Sequence, residues 1–440
     1  MSHYKPYPAY KDSGVAWLGQ VPEHWQIKRL RFAATLNPSI RLDLLADPEC
    51  EVSFLPMEAI GEDGSLNLEQ NRAVQDVRNG YSYFEDGDVA FAKVTPCFEN
   101  GKGALMQGLQ CAAGFGTTEL TVMRPLQDVT DARHLSYIVQ STHFRTLGAA
   151  AMTGAGGLKR VPDEFTRSFP VAFPPQSELE LIGDHLDRET VRIDALVAKK
   201  TRFIELLREK RQALITQAVT KGLDPNVKMK DSGVEWLGEV PEHWDVLSFQ
   251  RCVFIAEGQV DPEKSPYREM ILLAPNHIEP GSGLLLYTET AEEQSAESGK
   301  YLCEKGDVVY SKIRPALRKV CMAPEVSLCS ADMYPMRGHS GMSNQFLFWF
   351  LLSEPFSAFA VLEADRVAMP KINRESLNSV QLPRPPLSEQ LEIVARLSQA
   401  TARLDNLRAK TERSIELLKE RRAALITAAV TGQIDLREAS

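Results

Sequence analysis

The sequence is poor in the features that mark membrane, secreted or metal-dependent proteins. No stretch of its 440 residues approaches the roughly 18 continuous apolar residues of a membrane span. The opening MSHYKPYPAYKDSG has neither an apolar run nor a small-residue cleavage site, so a cytoplasmic protein with no membrane contact is expected. Its seven cysteines are odd in number and include no C-x-x-C, which argues against a disulfide framework or a zinc knuckle and reads as reduced thiols. Positive charge is short as well: 50 Lys and Arg against 59 Asp and Glu give a net charge of −9. Neutralising phosphates takes a cationic excess, so any nucleic-acid surface here must be local.

Catalytic signatures are also missing. No P-loop spacing precedes Gly101-Lys102 or Gly299-Lys300. The run Thr153-Gly154-Ala155-Gly156-Gly157 lacks the strand–loop–helix context and distal acid of a dinucleotide site, and reads as a flexible turn. His24 and His243 have no clustered ligand partners and read as structural, so no metal site is expected. An enzyme acting alone is the weakest of the available readings.

What the chain does have is a duplication. KDSGVAWLGQVPEHW (Lys11 to Trp25) returns as KDSGVEWLGEVPEHW (Lys230 to Trp244), and IELLREKRQALITQAVT (Ile204 to Thr220) as IELLKERRAALITAAVT (Ile415 to Thr431). The first pair is offset by 219 residues (Lys11 to Lys230) and the second by 211 (Ile204 to Ile415), so the segment between them is eight residues shorter in the second copy. Inside that segment one fragment survives, GDVAFAKVTP from Gly87 and GDVVYSKIRP from Gly306, a turn followed by an alternating strand. Beyond Pro96 and Pro315 the copies have little in common. Near-identical frames around dissimilar inserts suit one framework that recognises two different things.

From Ser177 to Thr220 no proline interrupts, and apolar residues fall on a heptad seam at Leu179, Ile182, Leu186, Ile193, Leu196, Phe203, Leu207 and Leu214. The second copy repeats it at Ile393, Leu397, Ala400, Leu404, Leu407, Leu418 and Leu425, with PPQSE and PPLSE marking the two helix starts. At about 1.5 Å per residue each helix is a rod of about 66 Å. If the second returns beside the first, they form an antiparallel coiled coil with one insert at each end, and the chain's two ends meet. Near mid-rod the seam turns polar at Lys200, Thr411 and Ser414; either Lys200 carries its charge to solvent or the polar break fixes register. Ile204, Leu206, Ile215 and their counterparts Ile415, Leu417 and Ile426 lie off the seam. They either pack on the chain's own domains or dock a partner subunit, once per repeat.

The KDSGVEWLGEVPEHW-type start, PPLSEQ-type helix entry, ELLKERRAALITAAVTG-type helix end and two divergent inserts together resemble the specificity subunits of type I restriction-modification systems. The resemblance runs over essentially the whole chain. It implies an α/β fold of two mixed α/β target recognition domains joined by two long helices in an antiparallel coiled coil, a pseudo-two-fold tandem repeat. The expected segments are 1–173 (first anchor and recognition domain), 174–229 (first helix and linker), 230–384 (second anchor and recognition domain) and 385–440 (second helix). It further implies a non-catalytic reader of a bipartite, asymmetric double-stranded DNA target, docked to two methyltransferase subunits and through them to restriction subunits. S-adenosylmethionine, ATP and Mg would then sit on those partners and no cofactor on this chain. The N-P-P-[FY] motif of the modification subunits is absent: Asn37-Pro38 is followed by Ser39, and Phe173-Pro174-Pro175 lacks the asparagine.

Base reading takes donors and acceptors on a groove-entering surface. In the second insert Lys312, Arg314, Arg318 and Lys319 crowd one strand-and-turn stretch, with Arg366, Lys371 and Arg374 further on. In the first, Lys93 and Thr95 match Lys312 and Arg314 by offset, and Lys159 and Arg160 end a flexible basic loop. Lys93 and Lys312 sit in the shared fragment, so they suit phosphate contact or fold support, with discrimination in the divergent parts. Strands are expected at Glu51 to Leu55, Asp88 to Val94 and Asp307 to Ile313, and helices at Ala132 to Thr146 and Asn344 to Leu352. The competing reading, a coiled-coil scaffold whose inserts bind proteins, gains from the acidic balance. The salt dependence of DNA binding separates the two.

Overall fold

The structure is a computed structural model and describes residues 4–155, 157–364 and 370–437. It divides into two units, one of Met1–Thr201 with Glu412–Ser440 and one of Arg202–Thr411, so each takes one half of each long helix. No single helix among the described residues is long and apolar enough to cross a membrane. One bent pair, Asn344–Leu351 with Glu354–Glu363, meets that test jointly by length and composition. Its Phe346, Phe350 and Phe356 are buried in the second unit's core.

In each unit the repeated motif folds as a hairpin, Tyr10–Asp12 with Gln20–Pro22 and Met229–Asp231 with Glu239–Pro241. The KDSG turn explains itself: Asp12 Oδ1 accepts the Gly14 N–H at 2.9 Å, and Gly14 sits at φ +68, where a side chain is costly. The tryptophan closing each motif is fully buried and satisfied by the glutamate of the helix-entry motif. Trp25 Nε1 donates to Glu178 Oε2 (3.0 Å) and His24 Nε2 lies 2.6 Å from Glu178 Oε1. In the second unit Trp244 Nε1 and His243 Nε2 meet Glu389 Oε2 at 3.1 and 2.8 Å. The two motifs that repeat in the sequence thus repeat because they touch.

The shared GDV fragment opens the middle strand of an antiparallel four-stranded sheet, ordered Ala34–Leu36, Leu120–Pro125, Val89–Ala92, Gly103–Leu105. The second unit repeats it as Val253–Ile255, Met333–Gly338, Val308–Ser311, Val320–Met322. Its aspartate is buried and works as a clamp: Asp88 accepts from Glu85 N and grips Arg124 by two bonds of 2.8 Å. Asp307 does the same with Glu304 N and Arg337 (2.8 and 3.0 Å). Hydrogen bonding to these carboxylates raises both guanidiniums above the usual arginine range. The other sheet differs at its edges. It runs Asn71–Ala73, Glu51–Leu55, Ala113–Gly116, Ser82–Glu85 in the first unit, whereas in the second the first edge is reduced to the isolated bridge Ile271–Thr290 and Gln259–Val260 is added beyond Lys300–Cys303.

The expected helix over 132–146 is two, Ala132–Gln140 and Thr142–Ala150, because Ser141 turns extended (φ −64, ψ 144) and its hydroxyl caps the second by accepting Phe144 N–H. The expected strands and the helix from Asn344 form, slightly trimmed, as Glu51–Leu55, Val89–Ala92, Val308–Ser311 and Asn344–Leu351.

The two long helices run Gln176–Lys221 and Leu387–Val430. Each unit holds an antiparallel pairing of their halves. Arg422 Nε pairs with Asp194 Oδ1 at 3.0 Å in the first unit, and Arg211 Nε with Asp405 Oδ1 at 3.3 Å in the second. Both pairs are copies of one Asp–Arg pair in the repeat. The buried line departs from the expected heptad seam. Leu179, Ile182, Leu186, Ile193, Leu207, Ile393, Leu397 and Leu425 are buried, and Leu214, Leu404, Leu418 and Lys200 half-buried. Leu196, Phe203 and Leu407 are instead exposed. A straight helix drifts about 20° per heptad. The isoleucines Ile182, Ile193, Ile204 and Ile215 recur every eleven residues, close to three whole turns, and all four are buried.

Of the two alternatives left open for the off-seam residues, packing within the chain holds for Ile204, Ile215 and Ile426, which are core residues; Ile415 is half-buried, and Leu206 and Leu417 are exposed. The chain's ends do meet, within the first unit: Asp435 N donates to Lys5 O at 2.8 Å, and Ile434 and Leu436 are buried in that unit's core.

Candidate nucleic-acid interface

Past the shared strand, the chain of each insert is caught by the same three backbone bonds. In the first unit Lys93 N donates to Glu119 O (2.8 Å), Val161 N to Lys93 O (2.8 Å) and Thr95 N to Lys159 O (3.0 Å). In the second, Lys312 N donates to Asp332 O (2.9 Å), Ile372 N to Lys312 O (3.0 Å) and Arg314 N to Pro370 O (2.7 Å). Candidate contact residues far apart in sequence are thereby joined: Lys93 and Thr95 with Lys159 and Arg160, and Lys312 and Arg314 with Lys371. Isolated bridges Val94–Arg160 and Ile313–Lys371 complete the equivalence.

The basic loop expected at Gly156 to Arg160 is, in its described part, ordered strand. Thr153–Ala155 pairs antiparallel with Leu158–Arg160, and all six residues are exposed. Gly154, at φ +140, has room for no side chain, since a Cβ there would lie 2.4 Å from Leu158 O. Thr95 Oγ1 donates to Lys159 O at 3.1 Å and accepts from Lys159 N at 3.2 Å, so the threonine fixes the hairpin's base rather than facing outward. Arg160 is gripped by Glu119 through two bonds (2.8 and 2.7 Å), which hold the Glu119 carboxyl below its usual range. Beside Lys93 opens a cleft of about 490 Å³ lined by Asn37, Ile40, Leu45, Tyr81 and Tyr83.

In the second unit the run of four cations is divided. Lys312 Nζ sits 5.3 Å from the centre of the Tyr334 ring. Arg314 is exposed and held at φ 46, a left-handed conformation that costs a non-glycine residue of order 1 kcal/mol and that clusters at functional sites. Arg318 pairs with Glu354 at 2.8 Å, and Lys319 Nζ donates to Pro275 O at 2.6 Å, so both have partners within the fold. Arg374 is likewise structural, donating to Ala256 O (2.6 Å) and Ile255 O (3.2 Å). Arg366 lies outside the described residues. The side chains of Lys159, Arg314 and Lys371 make no hydrogen bond or ion pair among the described residues.

Residue type alone did not point to Glu119 and Asp332, because they enter the ladder through backbone carbonyls. Only their common offset from the Arg124 and Arg337 clamps marks them as a pair.

Residues 263–417 match the family model of the type I restriction modification DNA specificity domain. The chain is 31% identical over 309 residues to the type I restriction enzyme EcoAI specificity subunit of Escherichia coli, covering 68% of this chain and 49% of that one. It is 30% identical over 294 residues to the EcoEI specificity subunit of the same organism, covering 65% and 47%. The chain thus spans about half the length of these curated relatives. Among solved structures, a chain from work on complex assembly and conformational transition of the type I R-M system superposes with TM-score 0.73 at 18% identity, over 94% of this chain and 99% of that one. The HsdS subunit from Thermoanaerobacter tengcongensis gives 0.53 at 18% identity, over 94% and 98%.

Proposed function

From a chain that is a relative of the type I restriction-modification specificity subunits, and that carries their DNA specificity domain over residues 263–417, we propose a reader of a split, asymmetric DNA sequence, each insert reading one half. The observation that carries this is the shared ladder. One backbone geometry presents Lys93 and Lys159 in the first insert and Arg314 and Lys371 in the second, while the surrounding residues differ. Cations on the common ladder contact phosphate and set register, and the divergent hairpin, cleft and loops beside it meet base edges. An acidic chain with local cations of this kind weakens sequence-independent binding and leaves discrimination to those base edges.

The chain supplies no chemistry of its own in this reading. Two methyltransferase subunits dock on it, one per repeat, at the helix faces around Leu206 and Leu417, and bring restriction subunits with them. S-adenosylmethionine, ATP and Mg belong to those partners.

Mapping methylated adenines in cells that express the chain with its methyltransferase partner tests the proposal. A split motif that disappears without the chain is expected, and Gly154→Val, which the hairpin cannot hold, relaxes one half of it and leaves the other. A continuous motif, or both halves altered by that single change, contradicts separate reading. Binding that hardly changes between low and physiological salt favours the protein-binding scaffold instead.

A further inference from the structure

Cys50 and Cys111 stand just ahead of two neighbouring parallel strands of the first insert, Glu51–Leu55 and Ala113–Gly116, which pair with Ser53 opposite Gly114. Their sulfurs lie 3.3 Å apart. Cys111 is exposed and Cys50 partly so, whereas Cys252, Cys303, Cys321 and Cys329 of the second unit are buried. The turn that carries Cys111 is pinned on three sides. Gln110 N donates to Ser53 Oγ (2.9 Å), Leu109 N to Asp86 Oδ1 (3.0 Å) and Arg41 Nη2 to Cys111 O (3.3 Å). Those bonds hold Cys111 and Ala112 at φ 55 and 53, which two successive non-glycine residues adopt only when their surroundings impose it.

We infer that Cys50 and Cys111 are a modification site, a thiol pair that hydrogen peroxide converts to a disulfide across the two strands. Disulfide sulfurs sit about 2.05 Å apart, so closing the pair takes a shift of little more than about 1 Å. The more accessible Cys111 thiolate attacks peroxide: a sulfur–oxygen bond forms, the oxygen–oxygen bond breaks, and hydroxide leaves and takes a proton. The Cys50 thiolate then attacks the sulfenic sulfur, and the second oxygen departs as water. Two thiols and one peroxide give one disulfide and two waters. The hydrogen bond to Cys111, with burial next, pushes the Cys50 thiol up to about 11, which lowers its thiolate fraction and disfavours it as the group that attacks peroxide first; in the second step it loses its proton as it attacks the sulfenic sulfur. The closed loop would encompass five of the eight strands of the first insert's two four-stranded sheets, Lys93 included.

The test is peroxide treatment of the full chain, alkylation with N-ethylmaleimide, and peptide mapping by mass spectrometry. Loss of two hydrogens, a joined peptide containing Cys50 and Cys111, and recovery of both alkylatable thiols on reduction with dithiothreitol are expected. In Cys50→Ser the joined peptide is absent and Cys111 proceeds to the sulfinic acid. Separate sulfinic acids on Cys50 and Cys111 in the unsubstituted chain overturn the inference, as do two thiols that remain fully alkylatable after peroxide.

Discussion

The ladders of the two inserts share three backbone bonds and present different charge. On the first, Arg160 is neutralised by Glu119 and Thr95 is spent on the hairpin base, which leaves the exposed Lys159 and the half-buried Lys93. On the second, Lys312, Arg314 and Lys371 line one edge; Arg314 and Lys371 lack an acidic partner among the described residues, and Lys312 has only a tyrosine ring. A common frame therefore does not present equal charge. Under the proposed DNA-reading function, the second insert is expected to draw more of its affinity from phosphate, and the first more from its exposed hairpin and the cleft beside Lys93.

The largest consequence is in binding. Lys312→Ala, Arg314→Ala and Lys371→Ala together should lower affinity for the methylated motif by roughly a hundredfold at physiological salt and flatten the salt slope by about 0.9 for each phosphate that is no longer neutralised. Lys93→Ala with Lys159→Ala should cost about tenfold by the same reasoning. Fluorescence anisotropy across a salt series, with the methyltransferase partner present, measures both. Equal effects from the two sets would break the comparison.

The anchors offer a second contrast. Glu178 is 8% exposed and serves Tyr7, His24 and Trp25, whereas Glu389 is 25% exposed and, among the described residues, serves His243 and Trp244. Removing a buried acceptor leaves its donors unsatisfied at about 1–3 kcal/mol each, less where water reaches them. Glu178→Ala should therefore destabilise the chain by about 3 kcal/mol in denaturant titration, and Glu389→Ala by about half of that.

Where reading the sequence succeeded, the information was carried by side chains in a regular pattern. The duplication exposed the frame, the proline-free stretch from Ser177 to Thr220 fell within a residue of Gln176–Lys221 at each end, and the strand at Glu51–Leu55 was set by alternation. It failed where backbone or small geometric drift decides. A strict seven-residue count placed Leu196, Phe203 and Leu407 inward, and an ordinary α-helix rotates them out while bringing Ile204 and Ile215 in. Ser141 breaks a helix that its neighbours favour. The ladder is made of N–H and C=O groups, so nothing in Lys159 or Lys371 announces that it lies beside Lys93 or Lys312. Arg318 and Lys319 looked like DNA-binding residues from their clustering, yet each has a nearer partner inside the fold.

A smaller asymmetry concerns acid. His134 is buried in the first unit beside Phe173, and burial drives its pKa down to about 4. The unfolded chain takes up a proton near pH 6.5 that the folded chain refuses until about pH 4, so this contribution is intact above pH 6.5 and is lost as pH falls between those values. Near pH 5.5 the loss is about 1.4 kcal/mol. His134→Phe should remove that part of the acid sensitivity from the unfolding curve of the chain while leaving its stability at pH 8 nearly unchanged. An unaltered slope between pH 7 and 5 would show that carboxylates, not this ring, govern acid unfolding.

The smallest expected effect bears most directly on why the ladders differ. Glu119→Gln keeps a hydrogen-bond acceptor for Arg160 and removes the charge that neutralises it, while Glu119 O goes on accepting from Lys93 N through the backbone. One cation is released on the first insert with the ladder intact. Non-specific DNA affinity should rise by about threefold and the salt slope steepen by a little under one. The methylated motif should loosen only in the half read by the first insert, because added phosphate attraction is blind to sequence. Such a result would mean that Glu119 restrains the first insert's grip so that base edges decide there. If affinity stays level and the motif stays sharp, Arg160 is a structural strut, and the difference between the two readers lies in the second insert's cations alone.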